Sequence, residues 1–142
     1  MSVHRTTPHD SATIHATWRA RYVDDVAVAG ALHLAFGLSE RARAKVVSMD
    51  LSAVRAAPGV VLVMTAADLP GANDVSPNPT PEPMLAEGEV FFQGQPLFLV
   101  AAESHLAARK AARLARVEYA AFDPILTVDQ ALAAESYLEA PL

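Results

Sequence analysis

The sequence predicts an α+β domain of five to six strands, two main helices and one short helix. Three patterns carry that expectation. Leu32, Leu34, Phe36 and Leu38 alternate with His33, Ala35 and Gly37, the period of two that places alternate side chains on one face of a strand. Ala107, Ala111, Leu114 and Ala115 fall at the i, i+4, i+7, i+8 spacing of a helix with one buried stripe. Thr127-Val-Asp-Gln130 has the spacing of a capping box, in which each side chain satisfies a backbone N–H of a helix's first turn.

Taken in chain order, the first strand is expected over residues 31–38 and a second over residues 44–51, where Val46, Val47 and Met49 recur, with the polar stretch from Ser39 to Arg43 as the turn that lets the two pair. Ser52 is placed to cap a short helix over residues 53–57, which Pro58-Gly59 ends. Val60 to Met64 is a continuous apolar run rich in β-branched residues, expected to be a strand buried on both faces. Five of the ten prolines then fall between Pro70 and Pro83, where missing N–H donors prevent a regular ladder, so a long loop is expected there with few locally paired groups. Strands over residues 89–93 and 96–102 flank the bend at Gly94-Gln95, Ser104 caps the Ala-rich helix to about Ala115, a strand spans residues 117–121, and a last helix covers residues 128–135.

Composition narrows the function. With 142 residues the chain has the size of one domain, and 52% hydrophobic residues supply apolar surface for a core. A formal net charge of -5 opposes a nucleic-acid partner, because phosphates demand a basic surface. The absence of Cys removes disulfides, thiolate metal ligation and cysteine nucleophiles. No apolar run reaches the roughly 20 residues that span a bilayer, and residues 1–10 lack a signal core, so a cytoplasmic location without membrane contact is expected.

No chemistry-bearing constellation emerges. His4, His9, His15, His33 and His105 are scattered without metal-ligand spacing, and His33 and His105 fall on an exposed strand face and a first helical turn. Asp24 and Asp25 are adjacent, so their side chains diverge, and a turn-stabilising role is expected of them. Glu82, Glu87 and Glu89 are expected to be solvated. No glycine-rich phosphate cradle is present. Arg109, Lys110, Arg113 and Arg116 form a basic face that is either solvated or turned toward an acidic partner.

One ordered series of short motifs runs through the chain: Ala20-Arg-Tyr-Val-Asp-Asp25, Ala31-Leu-His33, Pro58-Gly-Val60, Thr65-Ala-Ala-Asp68, Pro70-Gly71 with Asn73-Asp74, Leu85-Ala-Glu87, Gly94-Gln-Pro96 and Val117-Glu-Tyr119. The series resembles the α/β-hammerhead domain of the xanthine dehydrogenase and aldehyde oxidase family, of the bacterial xanthine dehydrogenase type. It departs from that pattern at Trp18, where the family commonly has Gly, and at Gln93, where Val is common.

The resemblance implies a hammerhead fold with a mixed sheet over residues 12–140, preceded by a flexible N-terminus over residues 1–11, in a fragment of a larger subunit that ends near the linker-like Pro141. It also implies a parent enzyme that hydroxylates a purine with water as oxygen source. That enzyme would use molybdopterin, with 2Fe-2S clusters and FAD in partner domains. This chain would bind no cofactor and be inactive alone. Its partners would be the remaining molybdopterin domains of the large subunit and the iron-sulfur/FAD subunit. The loop after the Pro-Gly motif would form part of the substrate funnel, with Asn73, Asp74, Val75, Ser76 and Pro77, and onward to Pro79, as the contacting residues. The competing expectation is a free-standing interaction module that uses the proline loop or the basic face. An independent hydrolase has little support.

Overall fold

A computed structural model describes residues 7, 9–77 and 80–137. The expectations for residues 1–6, His4, Pro79 and Pro141 lie outside those residues. The chain divides into two units, one up to Ala31 and one from Leu32 onward.

The first unit holds a five-residue helix, α1 (Ala12–Ala16), which the sequence reading missed, and a 3-10 turn at Val23–Asp25. Too short to be stable by propensity alone, α1 is closed at its end by Trp18, whose N–H donates to the His15 carbonyl at 3.2 Å. Trp18 has φ 57° and is 96% exposed. A glycine would take that left-handed conformation more easily, since a Cβ there crowds the backbone. Asp25 takes the expected turn-stabilising role: Tyr22 N–H donates to its Oδ2 at 2.9 Å.

In the second unit the elements run β1 (His33–Leu38), β2 (Ala44–Asp50), α2 (Ser52–Arg55), β3 (Val60–Thr65), β4 (Glu89–Val90), β5 (Pro96–Ala102), α3 (His105–Ala112), β6 (Arg116–Ala121) and α4 (Val128–Ala133). The α+β class and the order of strands and helices agree with expectation. The strands, however, form two three-stranded sheets, β1-β5-β3 and β4-β2-β6, and every pairing among the described residues is antiparallel, so two sheets stand where a single mixed one was expected. In particular β1 and β2 do not pair. Ser39 and the chain around it turn away from a hairpin because Ser39 is tied to the β5 entrance: its N–H donates to the Gln95 carbonyl at 2.9 Å, and Gly94 N–H donates to the Ser39 carbonyl at 2.8 Å.

The core lies between these sheets and helix α3. Val63, Phe98, Val100 and Ala102 present one sheet face to Ala108 and Ala111 of α3, whose small side chains permit close approach. The buried stripe of α3 centres on Ala108 and Ala111, with the expected Ala107 and Ala115 packed beside it and Leu114, also expected there, exposed. Phe98 lies over Gly37, where any Cβ would overlap its ring. Val54 of α2 joins the same core, and Arg55 Nη1 fastens α2 to the Val63 carbonyl at 2.9 Å.

The alternation in β1 is real but its polarity is reversed. Ala35 and Gly37 face inward, whereas Leu34, Phe36 and Leu38 are exposed. A large ring on β5 needs a gap opposite it, and only the small residues of β1 leave one. The double burial expected of β3 is likewise corrected: it is an edge strand paired only with β5, with Val61 and Leu62 exposed. Ser52 is the first residue of α2 and not its cap, which is Leu51, and the Ser52 N–H donates to Asp50 Oδ1 at 2.9 Å. Ser104 and Thr127 cap α3 and α4 as the sequence indicates.

Candidate functional site

The segment between β3 and β4 is the proline-rich loop, and it is built from its first residues upward. Thr65 opens it: its N–H and Oγ1 both donate to Asp68 Oδ2 at 2.8 Å, so the Thr65-Ala-Ala-Asp68 motif is a self-capping 3-10 turn. Those two bonds hold the Asp68 carboxyl below its usual range, the Thr65 N–H having the larger effect.

Asn73 closes the loop. Its Nδ2 donates to the Leu85 carbonyl at 2.7 Å, and Leu85 N–H donates back to its Oδ1 at 3.0 Å. The carboxamide thus pairs with a backbone unit as another strand would. Asp74 adds a second clasp, its Oδ1 accepting from Glu82 N–H at 3.0 Å and Ser76 N–H at 2.9 Å, while Val75 N–H donates to the Glu82 carbonyl at 2.9 Å. The Glu82 and Ser76 donors lower the Asp74 pKa below the ordinary carboxylate value. The expectation of few locally paired groups in this loop is corrected, because side-chain acceptors replace the ladder that proline forbids.

The returning limb is anchored firmly. Leu85 is buried, and Ala86 N–H donates to the Pro96 carbonyl at 2.7 Å. Gly94 turns at φ 88°, and buried Gln95 accepts from Phe91 N–H through Oε1 at 2.7 Å. The Gly94-Gln-Pro96 motif therefore seats the loop's exit on β5. Its partner Ser39 was missed by the sequence reading, since nothing local marks a serine whose backbone is held 56 positions further on at Gln95.

Of the predicted funnel residues, Asn73 and Asp74 direct their side chains back into the loop, while Val75 and Pro77 face outward and Ser76 is half-buried. Two further surfaces flank helix α3. An open cleft of about 600 Å³ is bordered by Arg109, Arg113, Arg116, Glu40 and Glu118 over a floor that includes Ala112, Val117 and Tyr119. Glu118 is already engaged by Ser48 Oγ at 2.9 Å. Arg116 begins β6 instead of lying on the helix, and of the basic face that the sequence indicated three members, Arg109, Arg113 and Arg116, meet at this cleft. Lys110 lies elsewhere, beside Pro58, Leu106 and Leu114 in a second open groove.

Metal chemistry finds no donor set here: the sequence has no Cys, and no group of three His, Asp or Glu side chains able to hold a metal occurs among the described residues. The described residues thus offer no side-chain ligand set for an iron-sulfur cluster or another directly ligated metal. His9 and His15 stand edge to face at 6.1 Å, with Tyr22 beside His15, in the first unit. No helix among the described residues is long and apolar enough to cross a membrane.

Among the described residues, the polar side chains of the proline-rich loop fasten its own backbone. Residues 17–123 match the family described as aldehyde oxidase and xanthine dehydrogenase, a/b hammerhead domain, and the chain belongs to that family of molybdenum hydroxylases. It is 42% identical over 132 residues to aldehyde oxidase 4 of Cavia porcellus, across 92% of this chain and 10% of that protein. It is 33% identical over 141 residues to the xanthine dehydrogenase of Blastobotrys adeninivorans, across 96% of this chain and 10% of that protein. Among solved structures, quinoline 2-oxidoreductase from Pseudomonas putida 86 superposes with a TM-score of 0.78 at 33% identity, covering 89% of this chain and 17% of that one. The chain spans a tenth of the length of these two sequence relatives.

Proposed function

We propose that this chain is a structural and substrate-funnel domain of a larger molybdenum hydroxylase of the bacterial xanthine dehydrogenase type, acting on a purine. The domain spans residues 12–140 after a flexible N-terminus over residues 1–11. It contributes no catalytic group and is inactive alone. The parent enzyme carries molybdopterin in the remaining large-subunit domains, with 2Fe-2S and FAD in a partner subunit, and works in the cytoplasm. Those cofactors supply the redox chemistry, and the polypeptide supplies orientation and access.

The observation that carries the funnel assignment is the double clasp of Asn73 on Leu85 and Asp74 on Glu82. A loop that only connects two strands needs no such bracing. This one holds Val75, Ser76 and Pro77 at a fixed place, which is what a wall for a rigid planar heterocycle requires. In this reading Asn73 and Asp74 are positioning residues, and Val75 to Pro77 make the contact.

The test is a Val75→Trp substitution in the complete enzyme. Narrowing the wall should raise KM for hypoxanthine severalfold with molybdenum content and kcat unchanged. An unchanged KM for every purine and aldehyde substrate tried would remove the funnel role.

A further inference from the structure

The sheet β1-β5-β3 has a second face, which is buried at Leu97 and Ala101 of its central strand but open along its two edge strands. Register places Leu34 opposite Ala101 and Ala101 opposite Leu62, and Phe36 opposite Leu99 and Leu99 opposite Met64. Directly opposed residues share a face, so two complete cross-strand rows are apolar from edge to edge. Leu34 is 56% exposed, Phe36 47% and Leu62 49%, and no charged side chain interrupts either row.

An apolar sheet face of this kind is costly to leave in water, at about 25 cal/mol for each Å². Folded monomers rarely keep a contiguous patch of this sort unless something covers it. The reversed polarity of β1 sharpens the point: the strand turns its small residues to its own core and its large ones outward.

We infer that this face, centred on Leu34, Phe36 and Leu62, is where the domain docks permanently onto an apolar surface of another domain of the same longer polypeptide. The inference rests on the larger-hydroxylase reading above. Two observations select that occupant. The matched relatives hold this domain as a tenth of their length, so most of the polypeptide lies beyond it. Both rows are also apolar throughout and resemble a core cut in half, as permanent interfaces do.

Hydroxyl-radical footprinting of the native side chains tests this without any substitution. In the 142-residue chain, Phe36 and Leu62 should oxidise much faster than buried Phe98, after correction for intrinsic reactivity. In the product of the complete coding frame, both should fall to the rate of Phe98. Undiminished oxidation in a complete, molybdenum-loaded product would overturn the docking face and leave the enzyme reading standing. Protection that appears in the 142-residue chain only as its concentration rises would assign the face to a second copy and overturn the inference. A coding frame that stops at Leu142 would overturn both readings before any labelling.

Discussion

Asn73 and Leu85, twelve residues apart, exchange two hydrogen bonds through a side-chain amide and a backbone amide, at 2.7 and 3.0 Å. This pair decides where the proline loop begins and ends. Removing it leaves the Leu85 N–H and carbonyl of a buried residue without partners. Asn73→Ala should therefore cost about 2–4 kcal/mol in urea unfolding, from two unmade bonds at about 1–2 kcal/mol each. Asn73→Asp should be nearly as damaging, because a carboxylate keeps the acceptor but sets negative charge against the Leu85 carbonyl. A loss below the range of a typical surface substitution would mean that the clasp does not hold the loop.

Phe98 over Gly37 yields a core prediction. Gly37→Ala forces a Cβ into the ring and should destabilise by about 1–3 kcal/mol, the usual range for overpacking. Phe98→Leu costs stability alone by leaving a void, but in the double variant part of both losses should cancel, since the ring that clashes has gone. Strict additivity in thermal or chemical unfolding would show that the two residues are not packed against each other.

The positive φ of Trp18 makes a local prediction with the opposite sign. Trp18→Gly should slow amide exchange at residues 18–20 by relieving about 1 kcal/mol of left-handed strain, less the backbone entropy that glycine loses. Trp18→Val should speed exchange there, because a β-branched side chain tolerates that conformation worse. Slower exchange in the valine variant would contradict the assignment of strain.

These residues also show what can be read in advance. Capping boxes are local, so Thr127 with Gln130 was legible from four letters. Periodicity was legible too, but not its polarity: alternation in β1 cannot reveal which face meets the core, because that is decided by Phe98 sixty positions away. The split into two sheets was hidden for the same reason, since the Ser39 to Gln95 tie that prevents a hairpin is non-local. In the loop, the motif Asn73-Asp74 was recognisable as a landmark, whereas its inward-directed side chains were not.

Acid unfolding offers a test of the carboxylate clasps. Asp50, held by Ser52, Asp68, held by Thr65, and Asp74, held by Glu82 and Ser76, all have folded pKa values below their ordinary ones. A depressed folded value means stability that is complete above the unfolded pKa of about 3.9 and is lost as pH falls through the folded one. The urea midpoint should thus stay level from about pH 7 to pH 5 and drop below about pH 4. Asp74→Asn, which keeps the accepting oxygen without the proton equilibrium, should shallow that drop, and an identical acid slope would contradict it.

The central claim is that this domain serves a larger molybdenum hydroxylase and does no chemistry by itself. Its most direct test is a parallel measurement of molybdenum content and hypoxanthine oxidation on the 142-residue chain and on the product of the complete coding frame. The account predicts stoichiometric molybdenum and turnover in the complete product, and neither in the 142-residue chain. Turnover or stoichiometric molybdenum in the 142-residue chain, or a complete product that has neither, would contradict it.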